Sequence, residues 1–125
     1  MSYNPFTNDY AIQIRIIRDT DNQENDDRIS ILYDEAEENY DVSYLDGNLK
    51  SKVIQNLKMD GDVLDQYLKS LFTLLSTDDD PYKNIQFNIP AMPVVLYRAS
   101  DLGNTEIVNA LMTMMPLTKN VSLVR

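Results

Sequence analysis

The segment Asp62–Leu75, DVLDQYLKSLFTLL, constrains the fold more than any other part of this chain. Its apolar side chains recur at the spacing of an α-helix and leave only a narrow polar side. The apolar positions are Val63, Leu64, Tyr67, Leu68, Leu71, Phe72, Leu74 and Leu75. Burying a large apolar side chain contributes about 1.5–3 kcal/mol before the loss of conformational entropy is subtracted. The segment therefore predicts a helix that other elements cover over most of its circumference.

Composition limits the chemistry that the chain can perform. The 125 residues contain no cysteine and no histidine. Disulfides, thiolate metal sites and thiol catalysis are therefore excluded, as are the commonest general base and the commonest transition-metal ligand. Catalysis would have to use Asp, Glu, Lys, Tyr, Ser or Thr, and these residues form no recognisable constellation. We predict a protein that is not an enzyme and has no catalytic residues, cofactor or metal.

The chain length fits one domain. We predict a polar N-terminal arm at residues 1–9 and a single α+β domain at residues 10–125. The first residues contain neither a basic segment nor an apolar region of a secretory signal. No apolar run approaches the roughly 20 residues of a membrane span. We therefore expect a cytoplasmic protein, or a virion component if the chain is viral.

Two alternating segments lie in the N-terminal part of the chain. In Tyr10–Ile17 and in Arg28–Tyr33, isoleucines recur at every second position. This period is typical of strands with one buried face. The intervening residues 19–27, DTDNQENDD, are too polar to pack. We predict an N-terminal antiparallel hairpin joined by an acidic loop.

The remaining elements are assigned from spacing and breakers. Asp34–Asp41 is consistent with a turn or a short helix, and Val42–Leu45 with a brief strand. Leu49–Leu57 has the spacing of a short amphipathic helix, and Asp60 or Asp62 can cap the helix that follows. Further predicted elements are a strand at 85–91, a short buried strand at Val94–Tyr97, a helix at 105–115 and a strand at 121–124. The predicted fold is therefore α+β: two or three helices packed on a small mixed sheet, with a C-terminal βαβ unit as a further possibility.

Negative charge is concentrated in the first part of the chain. Residues 1–46 carry twelve acids and three bases, a net charge of −9, whereas residues 47–125 carry eight of each. A basic face, which nucleic acids and anionic membranes require, is not indicated. We predict no direct nucleic-acid or membrane contact. Other protein subunits, in a homo- or hetero-oligomer, are the predicted partners, and the acidic region could also bind a basic protein surface.

Candidate partner-binding residues come from three places. Aromatic residues in and next to a polar arm suit a contact surface, acidic residues suit a basic partner, and one methionine lies off the apolar stripe of its predicted helix. The candidates are Tyr3, Phe6, Tyr10, Asp19, Asp21, Glu24, Asp26, Asp27 and Met114.

Three acidic segments are candidate metal sites. The loop that starts at Asp19 begins like a calcium loop, but Glu24 replaces the turn glycine and Ser30 replaces the bidentate glutamate. Asp78–Asp80, or Asp60 with Asp62, could hold magnesium, although helix caps and turns explain these residues more simply.

These observations support three hypotheses of function. The first is a non-enzymatic structural or interaction subunit of a larger assembly. The Asn-, Asp-, Tyr- and Ile-rich composition is common among small phage and viral structural or accessory proteins. The second is an acidic antagonist that imitates nucleic acid and binds a basic partner protein. The third is an enzyme that uses carboxylates with magnesium.

Overall fold

The computed structural model describes residues 4–17, 26–47, 54–77 and 83–102. These residues form six strands and one α-helix, with short 3-10 turns at Pro5–Thr7 and Ala99–Asp101. In chain order, the main elements are β1 (Ile12–Ile17), β2 (Asp27–Asp34), β3 (Asn39–Leu45), β4 (Ile54–Met59), α1 (Gly61–Ser76), β5 (Asn84–Asn88) and β6 (Val95–Arg98).

All six strands belong to one antiparallel sheet. Their order is β4-β3-β2-β1-β5-β6, and each neighbouring pair is antiparallel. Strands β1 to β4 form a meander in which each strand pairs with the next. After β4, helix α1 carries the chain back to the other side of β1, where β5 pairs in register with Ile14 opposite Phe87.

The core lies between one face of the sheet and α1. Ile14 pairs with Ile29 on β2 and with Phe87 on β5, so large apolar side chains of three strands share this face. The helix contributes four buried residues, Leu64, Leu68, Phe72 and Leu75. The rings of Phe72 and Phe87 meet edge to face, with their centroids 5.7 Å apart. This contact links the helix directly to the sheet.

The predicted central helix is present, and the residue that caps it was among those predicted. The Asp60 side chain accepts a hydrogen bond from the amide of Val63 at 2.8 Å, which satisfies one of the free N–H groups at the helix start. The predicted hairpin of the first two strands is also confirmed. The apolar arc is narrower than predicted, because Val63 and Leu74 are exposed.

The predicted α+β fold with two or three helices on a small mixed sheet is wrong. The described residues contain a six-stranded, entirely antiparallel sheet with one α-helix. The amphipathic helix predicted at Leu49–Leu57 is the clearest error, because Ile54–Met59 is strand β4 and pairs with β3. Backbone pairing with β3 overrides a helical spacing that is too short to be decisive. The helix predicted at 105–115 and the strand at 121–124, and with them the βαβ unit, lie outside the described residues.

The N-terminal segment packs against the polar face of the sheet. Pro5 is buried there, and its carbonyl oxygen accepts hydrogen bonds from Ser30 Oγ and Gln13 Nε2, each at 2.8 Å. Ser30 is 1% exposed, although polar residues alternate with the core residues on this strand. Residues 4–9 therefore lie on the sheet instead of extending away from it.

No helix in the described part of the chain is both long and apolar enough to cross a membrane.

Candidate functional site

A run of exposed apolar residues lies at one edge of the sheet. Val94, Val95, Leu96 and Tyr97 are 57, 37, 58 and 38% exposed; we call these four residues the β6 edge. The sequence predicted a buried strand here, because four consecutive apolar residues are typical of one. The structure corrects this prediction: β6 pairs with β5 on one side, and no other described strand pairs with it. The run is therefore a surface feature.

The outer side of β6 presents backbone hydrogen-bonding groups. The Ala99 amide donates to the Lys83 carbonyl at 3.0 Å, just beyond the paired residues of β6 and β5. This bond shows which residues of β6 direct their backbone groups toward β5. Because hydrogen bonding alternates along an antiparallel strand, the N–H and C=O groups of Leu96 point away from β5. An edge of this kind can accept a further strand.

The opposite edge of the sheet has a different character. On β4, the exposed Lys58 forms an ion pair with Asp41 of β3 and lies 3.8 Å from Asp34. The hydrogen bond to Asp41 raises the Lys58 pKa above its ordinary value, so this side chain stays charged. A charged lysine on an edge strand discourages addition of another strand. On β6, by contrast, Val95, Leu96 and Tyr97 are uncharged, and only the last residue, Arg98, carries a charge.

A cleft opens at the end of the sheet where β2 and β5 end and β1 and β3 begin. Its volume is about 620 Å³. One wall comes from the β2–β3 hairpin and the other from the turn that joins β5 to β6. The lining residues are Tyr10, Ile12, Ile31, Leu32, Tyr33, Glu35, Tyr40, Ile89, Pro90 and Met92.

The polar groups of the cleft are few. The rings of Tyr33 and Tyr40 pack with centroids 5.1 Å apart. The Tyr40 hydroxyl is buried and has no hydrogen-bond partner among the described residues. Burial, and to a lesser degree the neighbouring Tyr33, raises the Tyr40 pKa far above its ordinary value, so the phenol stays neutral. Of the lining residues that the structure describes, Glu35 is the single charged one.

The turn between β5 and β6, which forms one wall of the cleft, has a strained backbone. The Met92 amide donates to the Ile89 carbonyl at 3.0 Å, which closes a turn with Pro90 and Ala91 at its centre. Ala91 has φ = 65°, in the left-handed region. Proline at the first central position and a positive φ at the second are typical of a type II turn, where glycine is the usual second residue.

Two of the predicted partner-binding acids are internal to the fold. Asp26 and Asp27 are 1 and 2% exposed. Asp26 Oδ2 accepts a hydrogen bond from Arg15 Nε at 2.7 Å, and Asp27 Oδ1 accepts one from the Gly47 amide at 2.8 Å. Both carboxylates therefore stabilise contacts within the chain, and a contact with a partner would require this region to open.

The other predicted contact residues fall into two groups. Tyr10 is 85% exposed beside the cleft, whereas Phe6 is half-buried within the docked N-terminal segment. Their contacts with a partner remain predictions. The remaining candidates, Tyr3, Asp19, Asp21, Glu24 and Met114, lie outside the described residues.

The described acids of the N-terminal region differ in environment. Asp26 and Asp27 are buried at the start of β2, whereas Glu35, Glu37 and Glu38 are exposed in the turn after its end. Asp19, Asp21 and Glu24 lie outside the described residues, so imitation of nucleic acid by the acidic region stays a prediction.

Sequence reasoning missed the residues that define both surfaces. Tyr33, Glu35, Tyr40 and Met92 come together only because β1 pairs with both β2 and β5, and no local motif marks such a cleft. For the β6 edge a signal was present, because the run Val94–Tyr97 was recognised as a strand. Its position at the edge depends on the strand order.

Within the described ranges, no group of three or more Asp or Glu residues lies close enough together to hold a metal ion. The acids Asp78–Asp80 lie outside those ranges. Comparisons with protein-family models, curated proteins and solved structures find no match to this chain.

Proposed function

We propose that this protein is a non-enzymatic assembly subunit whose β6 edge pairs with the β6 edge of a second copy. The observation that carries the proposal is the run of four exposed apolar residues, three of them on an edge strand that has no described strand on its outer side. Edges of this kind are normally shortened, charged or covered in monomeric proteins. Pairing with a second copy would join the two six-stranded sheets and cover the apolar side chains.

The charge distribution favours a second copy at this edge. The net charge of −9 resides in residues 1–46, and their strands β1 to β3 lie beyond β5, away from β6. The charged residues of the stretch 83–102 are Lys83, Arg98 and Asp101. Two copies that meet through β6 therefore keep the described acids of these strands apart.

The sequence of β6 fits an antiparallel, two-fold arrangement. Pairing centred on Leu96 places Leu96 opposite its own copy and Arg98 opposite Val94. Neither arginine then faces the other, and the cross-strand pairs on both faces are apolar or mixed. A two-fold axis at Leu96 thus creates no opposed like charges in the strand.

The proposal also includes the compartment and the origin of the protein. A chain without cysteine is compatible with a reducing compartment, and we propose the cytoplasm. If the protein is a phage or viral structural or accessory protein, as its composition allows, the assembly would be part of the virion.

Light scattering after size-exclusion chromatography tests the proposal on the full chain. The wild-type protein is expected to elute as a dimer whose fraction increases with concentration. Leu96→Lys is expected to give a monomer, because pairing about a two-fold axis at Leu96 places the two lysines directly opposite each other. Leu74→Lys is the matched control, because Leu74 is 68% exposed on α1 and lies outside the edge; it should remain dimeric.

Both variants should retain the circular dichroism spectrum and the melting temperature of the wild-type protein, since both positions are exposed. A wild-type protein that stays monomeric at every concentration overturns the proposal. The same holds if Leu74→Lys dissociates the dimer as fully as Leu96→Lys, since the interface would then not be the β6 edge.

A further inference from the structure

We propose that the cleft between the β2–β3 hairpin and the Ile89–Met92 turn binds a small organic ammonium compound with an apolar body. This function is separate from pairing at the β6 edge. It rests on the size of the cleft, on its single charged residue and on the tyrosines that line it.

The cleft has the dimensions of a small-molecule site. Its volume of about 620 Å³ falls within the roughly 300–1,000 Å³ that is usual for such sites. Most of the lining is apolar. It includes Ile12 of β1 and Ile31 of β2, and one wall consists of Ile89, Pro90 and Met92. An apolar ligand body would replace water along these side chains.

The negative charge of the lining favours a cationic ligand over an anionic one. Among the described residues of the lining, Glu35 is the one that carries a charge, and none is a lysine or an arginine. Glu37 and Glu38 are exposed in the same hairpin turn and add to the negative potential. An ammonium group close to Glu35 would therefore be stabilised, whereas a carboxylate would be repelled.

The aromatic residues favour the same ligand. Tyr10, Tyr33 and Tyr40 line one cleft together with the carboxylate. Faces of aromatic rings attract cations, and organic ammonium ions are commonly recognised by aromatic side chains combined with an acid.

Local hydrogen bonds hold both walls of the cleft in place. Asp34 Oδ1 accepts from the amides of Ala36 and Glu37 at 3.0 and 3.2 Å, which fixes the turn that carries Glu35. The Ile89–Met92 hydrogen bond closes the opposite turn. A cleft formed in advance lowers the ordering cost of binding.

Calorimetric titration of the full chain with n-octylammonium, n-octanol and octanoate tests the proposal. Octylammonium is expected to bind about tenfold more tightly than octanoate, with octanol between them, because the three differ in the charge of one end. Amide resonances of Tyr33 and Met92 should shift on addition of octylammonium, which locates the ligand in the cleft.

Glu35→Gln is expected to weaken octylammonium binding about fivefold, the effect of losing one partly exposed ion pair, and to leave octanol binding unchanged. Glu37→Gln is the matched control: it removes the same charge from the same turn, but Glu37 does not line the cleft. It should change octylammonium affinity less than twofold.

Three results would overturn the proposal: absence of octylammonium binding at millimolar concentration, equal affinity for octanoate, and equal effects of the two glutamine variants. None of them bears on the oligomeric state, so the two proposals fail independently.

Discussion

Arg15 Nε donates a hydrogen bond of 2.7 Å to Asp26 Oδ2, and the Asp26 side chain is completely removed from solvent while that of Arg15 is 24% exposed. The second carboxylate oxygen, Oδ1, is also buried and has no hydrogen-bond partner among the described residues. Within the described part of the chain, Arg15 is the residue that compensates the charge of Asp26. Loss of the arginine would leave a buried carboxylate without its counter-charge.

Arg15→Met is expected to lower the free energy of unfolding by about 2–3 kcal/mol, below the usual cost of breaking a fully buried pair because Arg15 is partly exposed. Urea denaturation followed by circular dichroism measures the difference. Lys69→Met is the control, since Lys69 pairs with Asp65 at 2.9 Å on the exposed side of α1. Its expected cost is below about 0.5 kcal/mol. Equal losses for the two variants would contradict a buried, compensating role for Arg15.

Ionisation of the Tyr40 phenol is expected to destabilise the fold at alkaline pH. Burial raises the folded-state pKa of Tyr40 above the unfolded value of about 10. The folded state therefore binds its proton more tightly, and the resulting stability is fully present below about pH 10. It is lost as the pH rises above 10 toward the folded-state pKa. We expect tyrosinate absorbance at 295 nm to rise together with unfolding in this range.

Tyr40→Phe should reduce this alkaline loss. It should also leave the stability at pH 7 unchanged or raise it by about 1 kcal/mol, because a buried hydroxyl without a described partner is removed. Some loss should persist, because burial also raises the pKa of Tyr67. Tyr10→Phe, at a position 85% exposed, should behave as wild type. An unaltered alkaline midpoint in Tyr40→Phe would show that Tyr40 does not set the limit.

Ala91→Gly is expected to increase the free energy of unfolding by about 0.5–1 kcal/mol. At φ = 65°, alanine pays a steric cost that glycine avoids, and this gain exceeds the larger entropy of glycine in the unfolded chain. Differential scanning calorimetry measures the accompanying rise in melting temperature. Ala36→Gly, at an exposed turn position without a positive φ, should destabilise by a similar amount. A loss of stability in Ala91→Gly would show that the turn is not strained as described.

The sequence predicted the elements whose periodicity is long or clean. Helix α1 repeats its apolar positions over four turns, and β1 alternates isoleucines without interruption, so both were assigned correctly. Strand β3 was underestimated, although Tyr40, Val42 and Tyr44 alternate, because the preceding acidic residues favoured a turn. Strand β4 was assigned as a helix, because a short segment can satisfy both periods and only its pairing with β3 decides between them.

The surfaces were harder to predict than the elements. Burial of Asp26 and Asp27 could not be predicted from a run of nine polar residues, because their partners, Arg15 on β1 and Gly47 after the end of β3, are distant in sequence. Exposure of Val94–Tyr97 likewise follows from the place of β6 in the strand order. In both cases, the polarity of the segment predicts the wrong degree of burial. The burial of these residues is determined by contacts with parts of the chain that are distant in sequence.

The strand order has a consequence for synthesis. Strand β1 is the earliest of the described strands in the chain but lies inside the sheet, and its pairing with β5 must wait for β4 and α1. A nascent chain that has just emerged past Met59 can complete the β1–β4 meander, yet it presents one bare flank of β1 to the surrounding solution. Such a flank can template association with other chains. Translation that stalls between β4 and β5 would therefore leave a product that chaperones must shield or proteases must remove.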